Sequence, residues 1–131
     1  MNGKKVLIVD DDPDVREFVA TVFDEAGWQT LELNDGDEVI DVAGHHAPDA
    51  IVLDIRMPTL NGFEVFQALR TNPATGAIPV IVVTSVNDFE LGSEHNAATM
   101  GNRFNVTPPE VFLAKPIDRT DLRNAMLTLG L

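Results

Sequence analysis

Unbroken apolar runs of strand length recur along the chain, and each ends on a polar residue able to do chemistry. Val6-Leu7-Ile8-Val9 ends in Asp10-Asp11-Asp12, and Ala50-Ile51-Val52-Leu53 ends in Asp54. Val80-Ile81-Val82-Val83 ends in Thr84-Ser85, and Val111-Phe112-Leu113-Ala114 ends in Lys115-Pro116. Runs of this kind, without alternation, predict strands buried on both faces. They place strands at 4–10, 50–54, 78–84 and 111–115, with a shorter one at 28–33. In an open parallel α/β sheet the C-terminal edge of the strands is where ligands and chemistry sit.

The segments between the runs switch to helical spacing. Asp12 is placed to cap a helix and Pro13 to occupy its first position. Val15, Phe18, Val19, Val22, Phe23 and Ala26 form its apolar stripe, and Gly27 ends it. A second helix is predicted over about 36–45, with Val39, Ile40 and Ala43 turned inward. A third follows the Pro58–Gly62 loop through about Thr71, with Phe63, Phe66 and Leu69 apolar. Asp118 caps a last helix, with Asp121 three residues on and Leu122, Ala125, Met126 and Leu129 buried. A β-α unit repeated five times implies one doubly wound parallel sheet with helices on both faces and right-handed crossovers. Residues 86–110 fit this register less well: a helix over about 89–101, then a loop through Pro108-Pro109. The expectation is one domain over 1–131, its core at about 4–129, atypical and lengthened at 86–110.

Composition narrows the function classes. A net charge of −12 with nine scattered basic residues argues against direct binding of nucleic acid or anionic membranes. The absence of cysteine removes disulfides, zinc–thiolate sites and cysteine nucleophiles. No apolar run is long enough to span a bilayer. Four apolar residues after Met-Asn-Gly-Lys-Lys are too few for a signal peptide, so the cytoplasm is the expected location.

The polar set at the strand ends suits one divalent cation and one phosphoryl group. Carboxylate oxygens are hard ligands of the kind Mg²⁺ takes. Asp10, Asp11 and Asp54 gathered together would repel unless a cation intervened. A carboxylate can also act as a nucleophile toward phosphorus. Lys115 and the Thr84 hydroxyl could meet phosphoryl oxygens. Each residue also has a plain reading. Asp12 is explained by capping alone, Thr84 by its strand-forming shape, and Lys115 as a surface lysine. His45, His46 and His95 are given no metal role, and Trp28 is read as packing.

Taken in order, these pieces resemble the receiver domain of two-component response regulators. The resemblance rests on Val9-Asp10-Asp11-Asp12, on Leu53-Asp54-Ile55-Arg56-Met57-Pro58 with Asn61-Gly62, on Val83-Thr84-Ser85, and on Phe112-Leu113-Ala114-Lys115-Pro116. It implies a flavodoxin-like sheet of strand order 2-1-3-4-5 and a phosphoacceptor switch rather than an enzyme. Asp54 would accept phosphate, in an Mg²⁺-dependent step, from a histidine kinase or histidine phosphotransfer protein. Asp11 would ligate Mg²⁺ directly, Asp10 would hold a metal-bound water, and the Arg56 backbone carbonyl would be a further ligand. Thr84 and Lys115 would bind phosphoryl oxygens. Phe112 would be an aromatic switch coupled to Thr84, although a strand aromatic is as readily plain core. Phosphorylation would shift the face made by the fourth helix, fifth strand and last helix. That face would meet a downstream protein, an output domain or a second copy in a homodimer. Arg56 and Val86 would tune dephosphorylation.

Thr84 and Lys115 are 31 positions apart, longer than most receivers show, and Pro108-Pro109-Glu110 replaces the usual Gly-Ala ahead of the fifth strand. That departure keeps open a degenerate receiver that binds partners without phosphorylation. A haloacid-dehalogenase-like phosphatase is disfavoured because Asp10-Asp11-Asp12-Pro13-Asp14 lacks that family's Thr or Val. A P-loop enzyme is excluded by the absence of Gly-x-x-x-x-Gly-Lys-Ser/Thr. Whether the chain stands alone or is part of a longer protein is open.

Overall fold

The computed structural model describes residues 4–34, 36–55, 62–84 and 109–130, with the backbone alone at Phe63 and Thr84. The elements run β1 (Lys5–Val9), α1 (Pro13–Glu25), β2 (Gln29–Leu33), α2 (Val39–His46), β3 (Ala50–Asp54), α3 (Gly62–Thr71), β4 (Val80–Thr84), β5 (Val111–Ala114) and α4 (Arg119–Thr128). All four strand pairings are parallel and the order is β2-β1-β3-β4-β5, as the resemblance implies. The predicted helix over 89–101, with Ser85 and Val86, lies outside the described residues, as do Arg56 and the rest of 56–61.

Buried strands alternate between two cores because successive side chains point to opposite faces. Leu7, Val9, Ile51, Leu53, Val80 and Val82 pack with Val39 and Ala43 of α2 and Val65, Phe66 and Leu69 of α3. Val6, Ile8, Ala50, Val52, Ile81 and Val83 pack with Val19, Val22 and Phe23 of α1 and Leu122, Ala125 and Met126 of α4. Each fully buried aliphatic or aromatic side chain contributes about 1.5–3 kcal/mol relative to exposure.

The helix ends follow their sequence signals. The Asp12 carboxylate accepts from the Asp14 amide, and Pro13 follows it. At the other end of α1, Trp28 N–H donates to Phe23 O and Gly27 N–H to Asp24 O, with Gly27 at φ +90°. This is the paired Schellman arrangement, and Phe23 and Trp28 stack edge-on across it at 5.0 Å. Asp118 and Asp121 form a reciprocal capping box on α4.

Some expectations shift. β4 begins at Val80 rather than 78, because Ile78 N–H is used in a turn to Thr75 O and Pro79 has no N–H. α2 begins at Val39 rather than 36, because Val39 N–H closes a turn on Gly36 O. Ala26 caps α1 and is exposed instead of continuing the stripe, and Leu129 caps α4 only partly buried.

Candidate functional site

The order β2-β1-β3 puts the ends of β1 and β3 side by side, with Val9 opposite Leu53. Asp10 follows the last β1 residue and Asp54 is the last residue of β3; each is 3% exposed. Asp11 is exposed beside them, and carboxylate oxygens of Asp10, Asp11 and Asp54 all lie within 4.8 Å of one another. No other group of three or more acidic, histidine or cysteine side chains suited to a metal occurs among the described residues.

Lys115 enters this cluster from the end of β5. Its Nζ is 3.2 Å from Asp10 Oδ2 and 3.3 Å from Asp54 Oδ2. Burial alone would lower the ammonium's pKa. Attraction to Asp54 and Asp10, with hydrogen bonds to both, outweighs that and holds Lys115 above its ordinary 10.5. The peptide from Lys115 to Pro116 is cis.

The turn that carries Asp10 and Asp11 is held from several directions. Asp10 N–H donates to Leu33 O at 3.1 Å, and Asp10 Oδ1 accepts from Asp12 N–H at 2.9 Å. Asp10 O accepts from Arg16 Nη1 at 2.7 Å. Arg16 was not singled out by sequence reasoning, although it is the one cation between Asp10 and Glu25.

The structure thus brings together Asp10, Asp11, Asp54 and Lys115. Thr84 ends β4 with its backbone opposite Ala114, beside the same edge, and its side chain is outside the described residues. Phe112 pairs with Val82 and packs, partly buried, on the α2–α3 side of the sheet. Arg56 lies outside the described residues. His45 and His46 are exposed at the end of α2, and Trp28 is buried packing.

The donor set is all carboxylate oxygen, with no thiolate or imidazole, which fits a hard divalent cation such as Mg²⁺. Among the described residues, three carboxylates against one ammonium leave a formal charge of −2 in a pocket where two of the carboxylates are buried.

A five-stranded sheet of this order, with an acidic cluster and a lysine at its C-terminal edge, defines a CheY-like signalling domain. The chain belongs to the response regulator receiver domain family, whose model matches residues 6–127. It is 31% identical over 118 residues to Protein PilH of Pseudomonas aeruginosa, covering 90% of each chain. It is 32% identical over 123 residues to Protein RcaC of Microchaete diplosiphon, covering 94% of this chain but only 18% of that one. Among solved structures, the receiver domain of sensor histidine kinase PA1611 of Pseudomonas aeruginosa superposes with a TM-score of 0.80 at 25% identity. The match covers 98% of this chain and 99% of that one, and that structure holds a magnesium ion in its active-site cleft. No helix among the described residues is long and apolar enough to cross a membrane.

Proposed function

We propose that this receiver is a phosphoacceptor switch in a two-component phosphorelay, loaded at Asp54 in an Mg²⁺-dependent step. The observation that carries the reading is the pocket's −2 formal charge, built from Asp10, Asp11, Asp54 and the shared Lys115. Such a pocket attracts a divalent cation and then an electrophilic phosphoryl group.

Asp10, Asp11 and Asp54 would hold Mg²⁺, with the Arg56 carbonyl as a further ligand. When bound, the cation supplies charge neutralisation that lets an anionic phosphodonor approach a carboxylate. An Asp54 oxygen attacks phosphorus, the bond from phosphorus to the donor breaks, and the donor leaves with that electron pair. Lys115 then donates to a phosphoryl oxygen, which draws its ammonium from the Asp10–Asp54 bridge. Thr84 takes another phosphoryl oxygen through its hydroxyl, and Phe112 follows that movement.

Phosphorylation replaces a −1 carboxylate by a group of about −2 with three strong acceptors. A coupling of about 1–3 kcal/mol suffices to bias a two-state surface. The donor is a histidine kinase or histidine phosphotransfer protein in the cytoplasm, and the reader is a downstream protein, an output domain or a second copy. The chain acts by changing state rather than by turning over a substrate.

Intact mass after incubation with acetyl phosphate tests this. One added phosphoryl group is expected for the wild type with Mg²⁺, and none without the metal or in Asp54→Ala. A wild type that takes up nothing, or an Asp54→Ala protein that takes up as much, removes the reading.

A further inference from the structure

We infer that Arg16 is a positioning residue for the acidic pocket: it holds the β1–α1 turn, so the affinity of the pocket for a divalent cation depends on Arg16 although it contributes no ligand. This inference rests on the reading of the pocket as a divalent-cation site.

Asp10 sits between the sheet and α1, its N–H still donating to Leu33 O of β2. The β1 pairings with β2 and β3 both stop at Val9, and α1 starts at Pro13. The Asp10 carbonyl lies just past the paired residues and takes a side-chain donor in a charge-assisted bond. Arg16 supplies that donor at 2.7 Å. Its own backbone is fixed in the first turns of α1 by the bond from Arg16 N–H to Asp12 O at 3.0 Å. From the other side, Nε lies 3.5 Å from Glu32 Oε1 on β2. The guanidinium fork therefore ties the end of β1 to α1 and β2 at once, a task suited to its planar, multiple donors. With Leu33 O and Asp12 N–H, it completes three restraints on Asp10: on the amide, the carbonyl and the carboxylate. Asp11 is the next residue and inherits that backbone position.

Two other roles would leave different traces. If Arg16 acted only through its charge, it would repel a second cation, and removing it would tighten Mg²⁺ binding. If it served only to dock a partner, neither metal affinity nor the metal-free turn would change. The positioning role alone predicts weaker metal binding without the charge.

The test compares wild type with Arg16→Ala and Arg16→Lys. It uses calorimetric Mg²⁺ titration, phosphoryl uptake from acetyl phosphate across Mg²⁺ concentrations, and amide shifts and exchange at Asp10–Asp12 without metal. Groups that orient metal ligands typically change affinity roughly 10–100-fold when removed. The low end is expected here: Arg16→Ala weakens Mg²⁺ about tenfold, and saturating Mg²⁺ restores most of the uptake rate. Arg16→Lys keeps the charge but not the fork, and recovers only part of the affinity. The metal-free amides of Asp11 and Asp12 shift and lose protection in Arg16→Ala. Should that variant not fold, Glu32→Gln, a change at a more exposed site, removes the outer anchor and is read in the same way with a smaller loss. Unchanged or tighter Mg²⁺ binding in a folded variant overturns the inference. If the wild type itself binds no Mg²⁺, the proposed function fails. The metal-free amides then decide separately, and unchanged shifts and exchange overturn the positioning role.

Discussion

The two ends of the sheet solve opposite electrostatic problems. At the C-terminal edge, Asp10, Asp11 and Asp54 crowd within 4.8 Å, and Lys115 bridges Asp10 and Asp54. At the N-terminal edge, the Arg70 side chain is 2% exposed and its groups are matched. Nη1 donates to Ile78 O at 2.9 Å, Nη2 donates to Glu110 Oε1 at 2.7 Å, and the guanidinium lies over the Phe66 ring at 5.1 Å. Glu110 also accepts from Val80 N–H at 2.8 Å, while its own N–H donates to Val80 O at 3.1 Å. One carboxylate therefore clasps α3, the start of β4 and the start of β5. The lesson is that the clasp pairs its charges within the chain, whereas the pocket gathers three carboxylates around one ammonium among the described residues. Charges are paired at one end and gathered at the other.

Breaking the clasp gives the largest expected effect. Glu110→Ala removes one acceptor of the Arg70 guanidinium and the acceptor of Val80 N–H, and should cost about 2 kcal/mol, read by urea unfolding with and without Mg²⁺. A loss that Mg²⁺ repairs would mean the clasp belongs energetically to the pocket, and the contrast would collapse.

The opposite sign is expected at the pocket. Asp54→Asn relieves like charge against Asp10 and Asp11 while giving up the Lys115 ion pair, so the metal-free protein should gain about 1 kcal/mol, seen as a higher urea midpoint. Adding Mg²⁺ should stabilise the wild type and erase that advantage. A metal-free loss on Asp54→Asn would show the three carboxylates to be better balanced by Lys115 than the geometry implies.

The smallest effect concerns Lys115. Its folded pKa is raised, so its ion-pair stabilisation is whole below 10.5 and is lost as pH climbs through the raised folded value. Unfolding measured through and above pH 10.5 should fall off in the wild type and run flatter in Lys115→Met. Parallel curves would mean that the ammonium contributes little beyond its contacts.

Much of this was legible in the chain because the signals are local. The Asp12-Pro13 start, the Gly27 stop and the Asp118–Asp121 box each act within a few residues, and each forms as its sequence implies. The period-two split of Val6 and Ile8 from Leu7 and Val9 was not visible, since a strand buried on both faces carries no polar alternation. Arg16 was missed because its target is a backbone carbonyl, which no residue pattern marks. The Pro108-Pro109-Glu110 departure was noticed as an irregularity, but nothing along the chain said that Glu110 meets Arg70, 40 positions earlier.

The sequence by itself determined where the strands and helices fall, apart from the starts of β4 and α2, and that each apolar run ends in a group fit for phosphoryl or metal chemistry. Those are consequences of side-chain periodicity and of backbone groups seeking partners nearby. Only the tertiary structure decided that these ends converge. Asp54 and Lys115 are 61 positions apart and meet at 3.3 Å because the crossovers seat β1 beside β3 and β4 beside β5. The same order sent Arg70 and Glu110 to the far edge. Which charges are neighbours, and hence which end of the sheet pairs its charges and which gathers carboxylates, is set by how the layers pack and not by any single segment.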